Sequence, residues 1–357
     1  MVRHSLVVRL DNAGDVLLTG PVVRAVAARS DRVTLLVGPN GAEAARLLPG
    51  VDDVVVWRCP WIDARPDAVS PDDIAALVAQ LREREVDRAL VLTSFHQSPL
   101  PTALLLRLAG VEWVGAISDD YPGSLLDLRH RVAGEVHEVE RALSLGAGAG
   151  YELPPGDDGR LAVRRPLPEP PPEARGDYVV LHPGTSVPAR AWPAERYVEA
   201  GRLLTDRGHR VLVTGSAAER ALTARVVGDT SAVDLGGRTT LPGLAAVLER
   251  AAVVVVGNTG PAHLAAAVGT PVVSLFAPTV PATRWRPYGV PTVLLGDQDA
   301  VCRDTRVTSC PFEGHPCLAS VDAGSVAQAV EQAVEQAVEQ LRRQREPIPE
   351  GLAAQEV

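Results

Sequence analysis

The 357-residue sequence has few aromatic side chains, few cysteines and no long apolar run. Aromatic residues make up 4% of the chain, so a core must be built mainly from Val, Leu and Ala. No stretch approaches the roughly 20 apolar residues that a membrane-spanning helix needs. Four cysteines at uneven spacing argue against a disulfide scaffold and favour reduced thiols. They are Cys59, Cys302, Cys310 and Cys317.

An excess of positive charge and a secretion signal are also missing. The formal net charge of −9 argues against a broad basic face for nucleic acid or anionic lipid. Residues 1–10 alternate charged side chains with Val and Leu, a pattern that predicts a strand rather than a signal peptide. We therefore expect a cytoplasmic monomer with no nucleic-acid partner and no transmembrane segment, while peripheral contact with a membrane stays open.

The length and periodicity of the chain predict two α/β domains. A chain of 357 residues exceeds one typical core, and its 46% hydrophobic residues suit globular domains. Short β-branched runs alternate with Ala/Leu/Arg stretches of helical period, which is typical of a doubly wound parallel sheet in each half. The predicted strands are residues 5–10, 33–37, 54–57, 89–93, 178–182, 211–214, 253–256, 271–276 and 292–295. The predicted helices are residues 16–29, 70–85, 193–207, 217–227, 241–250 and 261–268.

Composition also divides the chain. Residues 151–176 are rich in proline and predict a semi-rigid linker between a domain at 1–150 and a second at 177–325. The sequence Ala-Val-Glu-Gln occurs three times from Ala329 to Gln340, which predicts a packed surface helix over 326–345 rather than a coiled coil. Residues 346–357 are expected to be a disordered tail.

Ligands of open α/β sheets bind where loops follow the carboxyl ends of strands, and the first such loop is 11–15. It places the carboxylate of Asp15 beside the flexible Gly14, with Asn12 nearby, at the start of a helix. The residues alone leave open whether Asp15 caps this helix or acts as a general base.

Three further loops carry polar groups suited to a phosphorylated ligand. The hydroxyls of Thr185 and Ser186, with the guanidinium of Arg190, suit phosphate oxygens, although an ordinary polar loop would look the same. After the next strand, Gly215 permits close approach of a ligand and Glu219 could accept hydrogen bonds from sugar hydroxyls. The fourth loop contains three donors at a helix start and one histidine a turn later: Asn258, Thr259, Gly260 and His263.

Several motifs are absent or irregular. Neither half has the GxGxxG fingerprint after its first strand, which disfavours an NAD-dependent dehydrogenase. None of the four loops holds an Asp-x-Asp pair, so no metal clamp for a diphosphate is indicated, and Arg190 with helix dipoles would stabilise a leaving diphosphate. A cluster near the C-terminus could ligate zinc, but its spacing is not a standard zinc pattern, and a loop of reduced thiols is preferred. Its members are Cys302, Cys310, His315 and Cys317.

The four loops together resemble a known family. Residues 9–21 read RLDNAGDVLLTGP and look like the N-terminal signature of glycosyltransferase family 9, the ADP-heptose heptosyltransferases. Residues 182–193 resemble its donor-phosphate loop, and residues 215–219 resemble its nucleoside-contacting loop. Residues 257–263 resemble its Asp-Thr-Gly-Pro-x-His segment. The likeness runs in the same order from about residue 9 to residue 321.

This resemblance implies a GT-B fold, in which two Rossmann-like domains face each other. The N-terminal half would bind the acceptor and the C-terminal half an ADP-type sugar nucleotide. It implies inverting transfer without a metal or a further cofactor, with Asp15 as the base that deprotonates an acceptor hydroxyl. It assigns the diphosphate to Thr185, Ser186 and Arg190. The nucleoside and the rest of the donor would contact Gly215, Glu219, Asn258, Thr259, Gly260 and His263.

Two departures from the family pattern put the donor sugar in question. Asn258 stands where the family commonly has Asp, and Arg190 replaces the more usual Lys. The acceptor, whether a glycan, a lipid-linked molecule or a small molecule, is not identified. The candidates to face it are Asn12, Gly14, His96, Gln97 and Arg129. A GT-B-fold sugar-nucleotide epimerase and a catalytically silent nucleotide-sugar-binding protein remain alternatives.

Overall fold

The computed structural model describes residues 2–63 and 66–345 and contains two parallel six-stranded sheets. The strands of the first sheet are β1 (Val2–Arg9), β2 (Ser30–Val37), β3 (Asp53–Val56), β4 (Arg88–Val91), β5 (Trp113–Ile117) and β6 (Leu128–His130). Those of the second are β7 (Val179–His182), β8 (Val211–Val213), β9 (Val233–Asp234), β10 (Val253–Gly257), β11 (Val272–Leu275) and β12 (Thr292–Leu295). Their central strands are almost completely buried, as the continuous Val and Leu runs predict.

Both sheets have the same topology. The first has the order β3-β2-β1-β4-β5-β6, and the second has the equivalent order β9-β8-β7-β10-β11-β12. The direction of winding therefore reverses between β1 and β4 and again between β7 and β10. A crevice forms at the carboxyl ends of the strands at each reversal, so each half presents one ligand-binding edge. This confirms the predicted α/β fold of two Rossmann-like halves.

Helices cover both sheets and connect their strands. They are α1 (Ala13–Leu18), α2 (Gly20–Ala27), α3 (Ala42–Leu47), α4 (Pro71–Arg82), α5 (Leu100–Leu108), α6 (Glu138–Gly148), α7 (Ala194–Asp206), α8 (Arg220–Val227), α9 (Leu241–Glu249), α10 (Gly260–Ala267), α11 (Ala282–Trp285), α12 (Pro316–Ala319) and α13 (Ala323–Arg345). The start of α4 shows the predicted cap, since the backbone N–H of Asp73 donates to Ser70 Oγ at 3.3 Å.

The prediction of one continuous helix over residues 16–29 is wrong. Helix α1 ends at Leu18 and α2 begins at Gly20. The Thr19 hydroxyl donates to the carbonyl of Val16 at 2.6 Å, and Pro21 has no N–H with which to continue the helical bonding. Sequence patterns also predicted no element between residues 94 and 150, where the structure has α5, β5, β6 and α6.

The segments outside the sheets pack against them. The segment between β6 and β7 contains Asp157, which accepts two hydrogen bonds from Arg24 of α2 at 2.6 and 2.7 Å. Helix α13 begins at Ala323 and buries an apolar stripe that includes Val326, Val330 and Ala333 against the second sheet. The predicted disordered tail, 346–357, lies outside the described residues. In the described part of the chain, no helix has the length and apolarity to span a membrane.

Candidate active site

The ligand-binding edges of the two sheets face each other across one cleft. The N-termini of α1 and α10 meet at its base, where a Cβ atom on Gly14 would lie 3.2 Å from the Cα of Gly260. At one end, the His137 ring contacts the carbonyl of Arg286 through Nε2 at 2.9 Å. Only a residue without a side chain fits at position 14, because its Cβ would also lie 2.9 Å from His263 Cδ2.

The cleft encloses about 370 Å³, which is enough for a small-molecule substrate. The cleft is lined by the loops that follow β1, β4, β7 and β10, which are the strands on either side of the reversal in each sheet. This arrangement brings together most of the residues predicted from sequence. Those that line the cleft are Asn12, Gly14, Asp15, His96, Gln97, Thr185, Ser186, Arg190, Asn258, Thr259, Gly260 and His263.

Asp15 lies on the cleft surface and is held by Arg9, a buried residue of β1. Arg9 Nη2 donates to Asp15 Oδ1 at 3.1 Å and to Ser94 Oγ at 3.0 Å. The same guanidinium contacts Asp11 at 2.9 Å and Glu138 at 3.4 Å, so it is fixed by three carboxylates. Among the described residues, Asp15 Oδ2 has no partner, which leaves one carboxylate oxygen available to a ligand.

The N-terminal wall is mostly polar and uncharged beyond this cluster. The Gln97 amide donates to Asp11 Oδ1 at 2.7 Å, and the Asn40 amide donates to Asn12 Oδ1 at 3.1 Å. Burial and the positive charge of Arg306 together lower the pKa of His96 to about 4, so His96 is neutral near pH 7. Arg129 does not line the cleft; its guanidinium donates to the carbonyls of Ser118 and Asp119.

The C-terminal wall presents hydroxyls, a cation and a helix start. Thr185 Oγ1 accepts from the backbone N–H of Val187 at 3.2 Å, which shapes the loop. The Arg190 side chain is largely buried, and its Nε has no hydrogen-bond partner in the described chain. Burial lowers the pKa of Arg190, while the negative charge of Asp15 opposes this shift. The N-cap of α10, Thr259, makes no side-chain capping bond, and its own N–H donates to the carbonyl of Gly257 at 2.9 Å. Among the described residues the N–H of Gly260 has no partner, so this group of the helix start is open to an anion.

His263 is buried on α10 and projects towards Gly14. Burial lowers the pKa of His263 to about 3, and its Nδ1 has no hydrogen-bond partner among the described residues. It is therefore a neutral ring that can donate or accept one hydrogen bond, and it does not supply positive charge.

Two other predicted donor contacts use their polar groups internally. The Asn258 amide donates to the carbonyl of Ala277 at 3.4 Å, and its oxygen accepts from the N–H of Ala277 at 3.4 Å. Glu219 accepts from the N–H of Ser216 at 2.7 Å in a capping box before α8. Gly215 and Glu219 follow β8 rather than a reversal strand, and they do not line the cleft.

The structure adds cleft residues that sequence reasoning missed. Arg306 lines the cleft, and its guanidinium carbon lies 5.5 Å from the centroid of the Phe95 ring. The rings of Phe95 and Trp285 lie 5.6 Å apart and connect the two halves. No local motif marks these residues: Arg306 and Phe95 come from irregular loops and Trp285 ends the short helix α11, so the three meet only in the folded chain.

The cysteine cluster does not form a recognisable metal centre. In the described ranges, no group of three or more His, Cys, Asp or Glu side chains is arranged to hold a metal ion. Cys302 and Cys317 are buried and their thiols contact each other, while Cys310 is partly exposed. His315 instead contacts the carbonyl of Ala189 through Nε2 at 3.0 Å.

Two Rossmann-like halves that face each other across a polar cleft define the GT-B class of glycosyltransferases. The model of glycosyltransferase family 9 (heptosyltransferase) matches residues 74–315. The chain therefore belongs to glycosyltransferase family 9 and is a glycosyltransferase.

Individual relatives agree with this assignment. The chain is 34% identical over 239 residues to lipopolysaccharide heptosyltransferase 1 of Pseudomonas aeruginosa, a match that covers 65% of this chain and 66% of that protein. The fold is similar to that of a glycosyl transferase family 9 protein from Veillonella parvula, with a TM-score of 0.76 at 17% identity over 94% of this chain and 98% of the other. It is also similar to E. coli ADP-heptose lps heptosyltransferase II, with a TM-score of 0.70 at 20% identity over 93% and 99% of the two chains.

Proposed function

We propose that this protein transfers a heptose or related sugar from an ADP-type sugar nucleotide to an acceptor hydroxyl, with inversion and without a metal ion. Asp15 is the general base in this proposal. The observation that carries it is the position of Asp15 on the cleft, opposite the donor loops: Arg9 fixes one of its oxygens, and the other has no partner among residues 2–63 and 66–345. The name of the Pseudomonas aeruginosa relative supports heptose as the sugar.

The reaction requires a base on one side of the anomeric carbon and stabilisation of the leaving group on the other. Asp15 accepts the proton of the acceptor hydroxyl as its oxygen attacks the anomeric carbon. The bond from that carbon to the diphosphate oxygen breaks, and the diphosphate leaves with the electron pair. Attack opposite the leaving group inverts the configuration at the anomeric carbon.

Arg190 and the N-terminus of α10 are suited to stabilise the leaving diphosphate. The guanidinium can donate paired hydrogen bonds to phosphate oxygens, and the start of α10, with the N–H of Gly260, adds partial positive charge. Fixed donors of this kind stabilise charge as it develops and need no reorganisation. The proposal therefore assigns to protein groups the role that a divalent metal plays in other transferases.

The N-terminal wall supplies the acceptor side of the proposed reaction. Asn12, Asn40 and His96 are neutral groups that line the same cleft as Asp15, and they can exchange hydrogen bonds with hydroxyls of a glycan, a lipid-linked molecule or a small molecule.

The Asp15→Asn variant tests this proposal because the amide keeps the shape of the side chain and cannot accept the proton. We expect sugar transfer, assayed with excess EDTA, to fall by roughly 100- to 10,000-fold, while ADP binding measured by calorimetry stays within about threefold of the wild type. The exposed carboxylate of Asp31 provides the control, and Asp31→Asn should retain full activity.

Three results would count against the proposal. Loss of ADP binding in Asp15→Asn would place Asp15 in the donor site. Loss of wild-type activity in EDTA would contradict the metal-independent mechanism. Conversion of the sugar nucleotide to an epimer without any acceptor would favour an epimerase.

A further inference from the structure

The loop of residues 302–317, here called the clamp loop, runs from the region after β12 to α12 and borders the cleft. Its ends are anchored by the buried and mutually contacting thiols of Cys302 and Cys317. It holds the turn Pro188–Arg190 through two hydrogen bonds, one from the N–H of Ala189 to the carbonyl of Thr308 at 2.9 Å and one between His315 and the carbonyl of Ala189 at 3.0 Å. The clamp loop therefore contacts the turn that carries Arg190.

The clamp loop also places Arg306 in the cleft at the cost of an unfavourable backbone conformation. Arg306 has a φ of 59°, in the left-handed region that residues other than glycine seldom adopt. Its N–H donates to the carbonyl of Thr279 at 2.8 Å, which fixes the main chain on the C-terminal half. Backbone strain of this kind persists where the surrounding structure enforces it, and it is concentrated at functional sites.

Arg190 and Arg306 are two cations that line the same cleft, and the carboxylate of Asp15 acts on both. Burial lowers the pKa of Arg190; the negative charge of Asp15 opposes this shift, and the positive charge of Arg306 adds to it. Within the described chain, neither guanidinium makes an ion pair or a side-chain hydrogen bond, although both line the cleft. The nearby carboxylates of Asp11 and Asp15 are instead bonded to Arg9.

Two arginines without hydrogen-bonded partners in one cleft raise the free energy of the folded protein when no ligand is bound. Partly buried cations normally have a charged or hydrogen-bonded partner, and two like charges near each other destabilise the charged forms of both. An anion that contacts both guanidinium groups would remove this repulsion and satisfy their free N–H groups. Arginine is suited to this role because its planar fork donates paired hydrogen bonds to phosphate oxygens.

We propose that Arg306 and Arg190 together form the site for the diphosphate of the sugar nucleotide, an inference that rests on the proposed function for the identity of the ligand. Both guanidinium groups come from the half of the chain that carries the donor loops. The clamp loop is hydrogen-bonded within this half, to Ala189 and to Thr279. This common origin favours the donor diphosphate over a phosphate group on an acceptor. Arg306 is thus a donor-binding residue that the loop motifs do not include.

Calorimetric titration with two probes, ADP and inorganic pyrophosphate, tests this site. Arg306→Gln removes the charge, and Arg306→Gly removes the whole side chain at a backbone position that suits glycine, so a loss of binding in both variants does not reflect misfolding. We expect both variants to bind ADP and pyrophosphate roughly 10- to 100-fold more weakly than the wild type, because each loses charge-assisted hydrogen bonds.

A matched control lies three residues away. Arg303 is exposed and pairs with Asp299 at 3.2 Å and with Asp304 at 3.4 Å, so Arg303→Gln changes the same net charge on the same loop. It should bind both probes like the wild type. An equal loss of affinity in Arg303→Gln would show a general effect of charge and would overturn the assignment.

The remaining outcomes separate this inference from the proposed function. Unchanged affinity of the Arg306 variants for both probes would overturn the proposed site. A rise confined to the KM of a phosphorylated acceptor would also overturn it and would indicate that Arg306 binds the acceptor. Arg306-dependent pyrophosphate binding in a protein that transfers no sugar would support the paired site and contradict the transferase proposal. A wild-type protein that binds neither probe would overturn the paired site.

Discussion

Buried histidines show how burial determines charge. His182 and His263 are both buried, and burial lowers their pKa values to about 4 and about 3. Of these two, His263 lines the cleft, where it contributes a neutral hydrogen-bonding group, so the positive charge there comes from arginine. A histidine that stays neutral when folded but becomes protonated when unfolded links stability to pH.

We predict that the free energy of unfolding decreases as pH falls below about 6.5. The unfolded chain takes up protons at His182 and His263 near that pH, whereas the folded chain does so only near pH 3 to 4, so stability is full above pH 6.5 and is lost below it. Each histidine contributes a slope of up to about 1.4 kcal/mol per pH unit. Urea denaturation of His263→Gln between pH 7.5 and 5 should show this slope reduced by about that amount.

The control for this measurement is His209→Gln, which changes a partly exposed histidine and should keep the wild-type slope. A His263→Gln variant whose stability depends on pH as steeply as the wild type would contradict the buried, neutral state of His263.

At the scale of elements, the close approach of α1 and α10 defines the base of the cleft. Gly14 and Gly260 permit this approach, because a side chain at position 14 would enter the space of Gly260 and His263. The glycine is thus required by contact across the cleft and not by the helix in which it lies. Asp15 follows directly, so the contact also sets the distance between the proposed base and the donor loops.

We predict that Gly14→Ala lowers kcat/KM for transfer by at least about tenfold while the free energy of unfolding changes by less than about 1 kcal/mol. Its Cβ would lie 2.9 Å from His263 Cδ2 and would push α1 and α10 apart, which displaces the base from the donor. Alanine also favours a helix over glycine, which offsets part of the steric cost. Steady-state kinetics and urea denaturation measure the two quantities.

Gly324→Ala is a suitable control, because this glycine lies in the first turn of α13 and its Cβ would make only an ordinary contact at 3.4 Å. The variant should retain wild-type activity. Wild-type kcat/KM in Gly14→Ala would mean that the two helices separate without consequence for the reaction.

At the scale of the whole molecule, the segment between the sheets is fixed to the first half by a buried ion pair. Arg24 and Asp157 keep only 14% and 13% of their side-chain surfaces exposed, and Arg24 also donates to the carbonyl of Arg160 at 2.8 Å. The hydrogen bonds from Arg24 lower the pKa of the Asp157 carboxyl, as expected for a paired carboxylate. On the other side of the segment, Arg165 pairs with Glu249 of α9.

We predict that Arg24→Ala lowers the free energy of unfolding by about 2 kcal/mol, since it leaves a largely buried carboxylate without its partner. Chemical denaturation followed by circular dichroism measures the change. Arg202→Ala breaks the exposed pair with Asp229 and should leave stability unchanged, because water screens an exposed ion pair. Equal effects of the two substitutions would show that the contact with Asp157 is not a structural anchor.

The sequence by itself determined the elements whose signals are local. Buried strands such as β8 and β10 are continuous apolar runs, α4 begins with a capping serine and a proline, and the four loops lie in the order expected for glycosyltransferase family 9. Local signals were weaker for residues 94–150, where the predicted pattern missed two helices and two strands, and at Thr19, where a side-chain hydrogen bond and Pro21 interrupt a helix.

Only the tertiary structure decided which charged groups line the cleft and which residues meet at its base. Glu138 is far from Arg9 and Asp15 in sequence, and the three form one cluster because the start of α6 meets β1 and the start of α1. Arg306 has no motif, yet the clamp loop brings it beside Arg190. The physical reason is that periodicity and capping act over a few residues, whereas electrostatic partners and steric limits across a cleft depend on chain segments that only folding brings together.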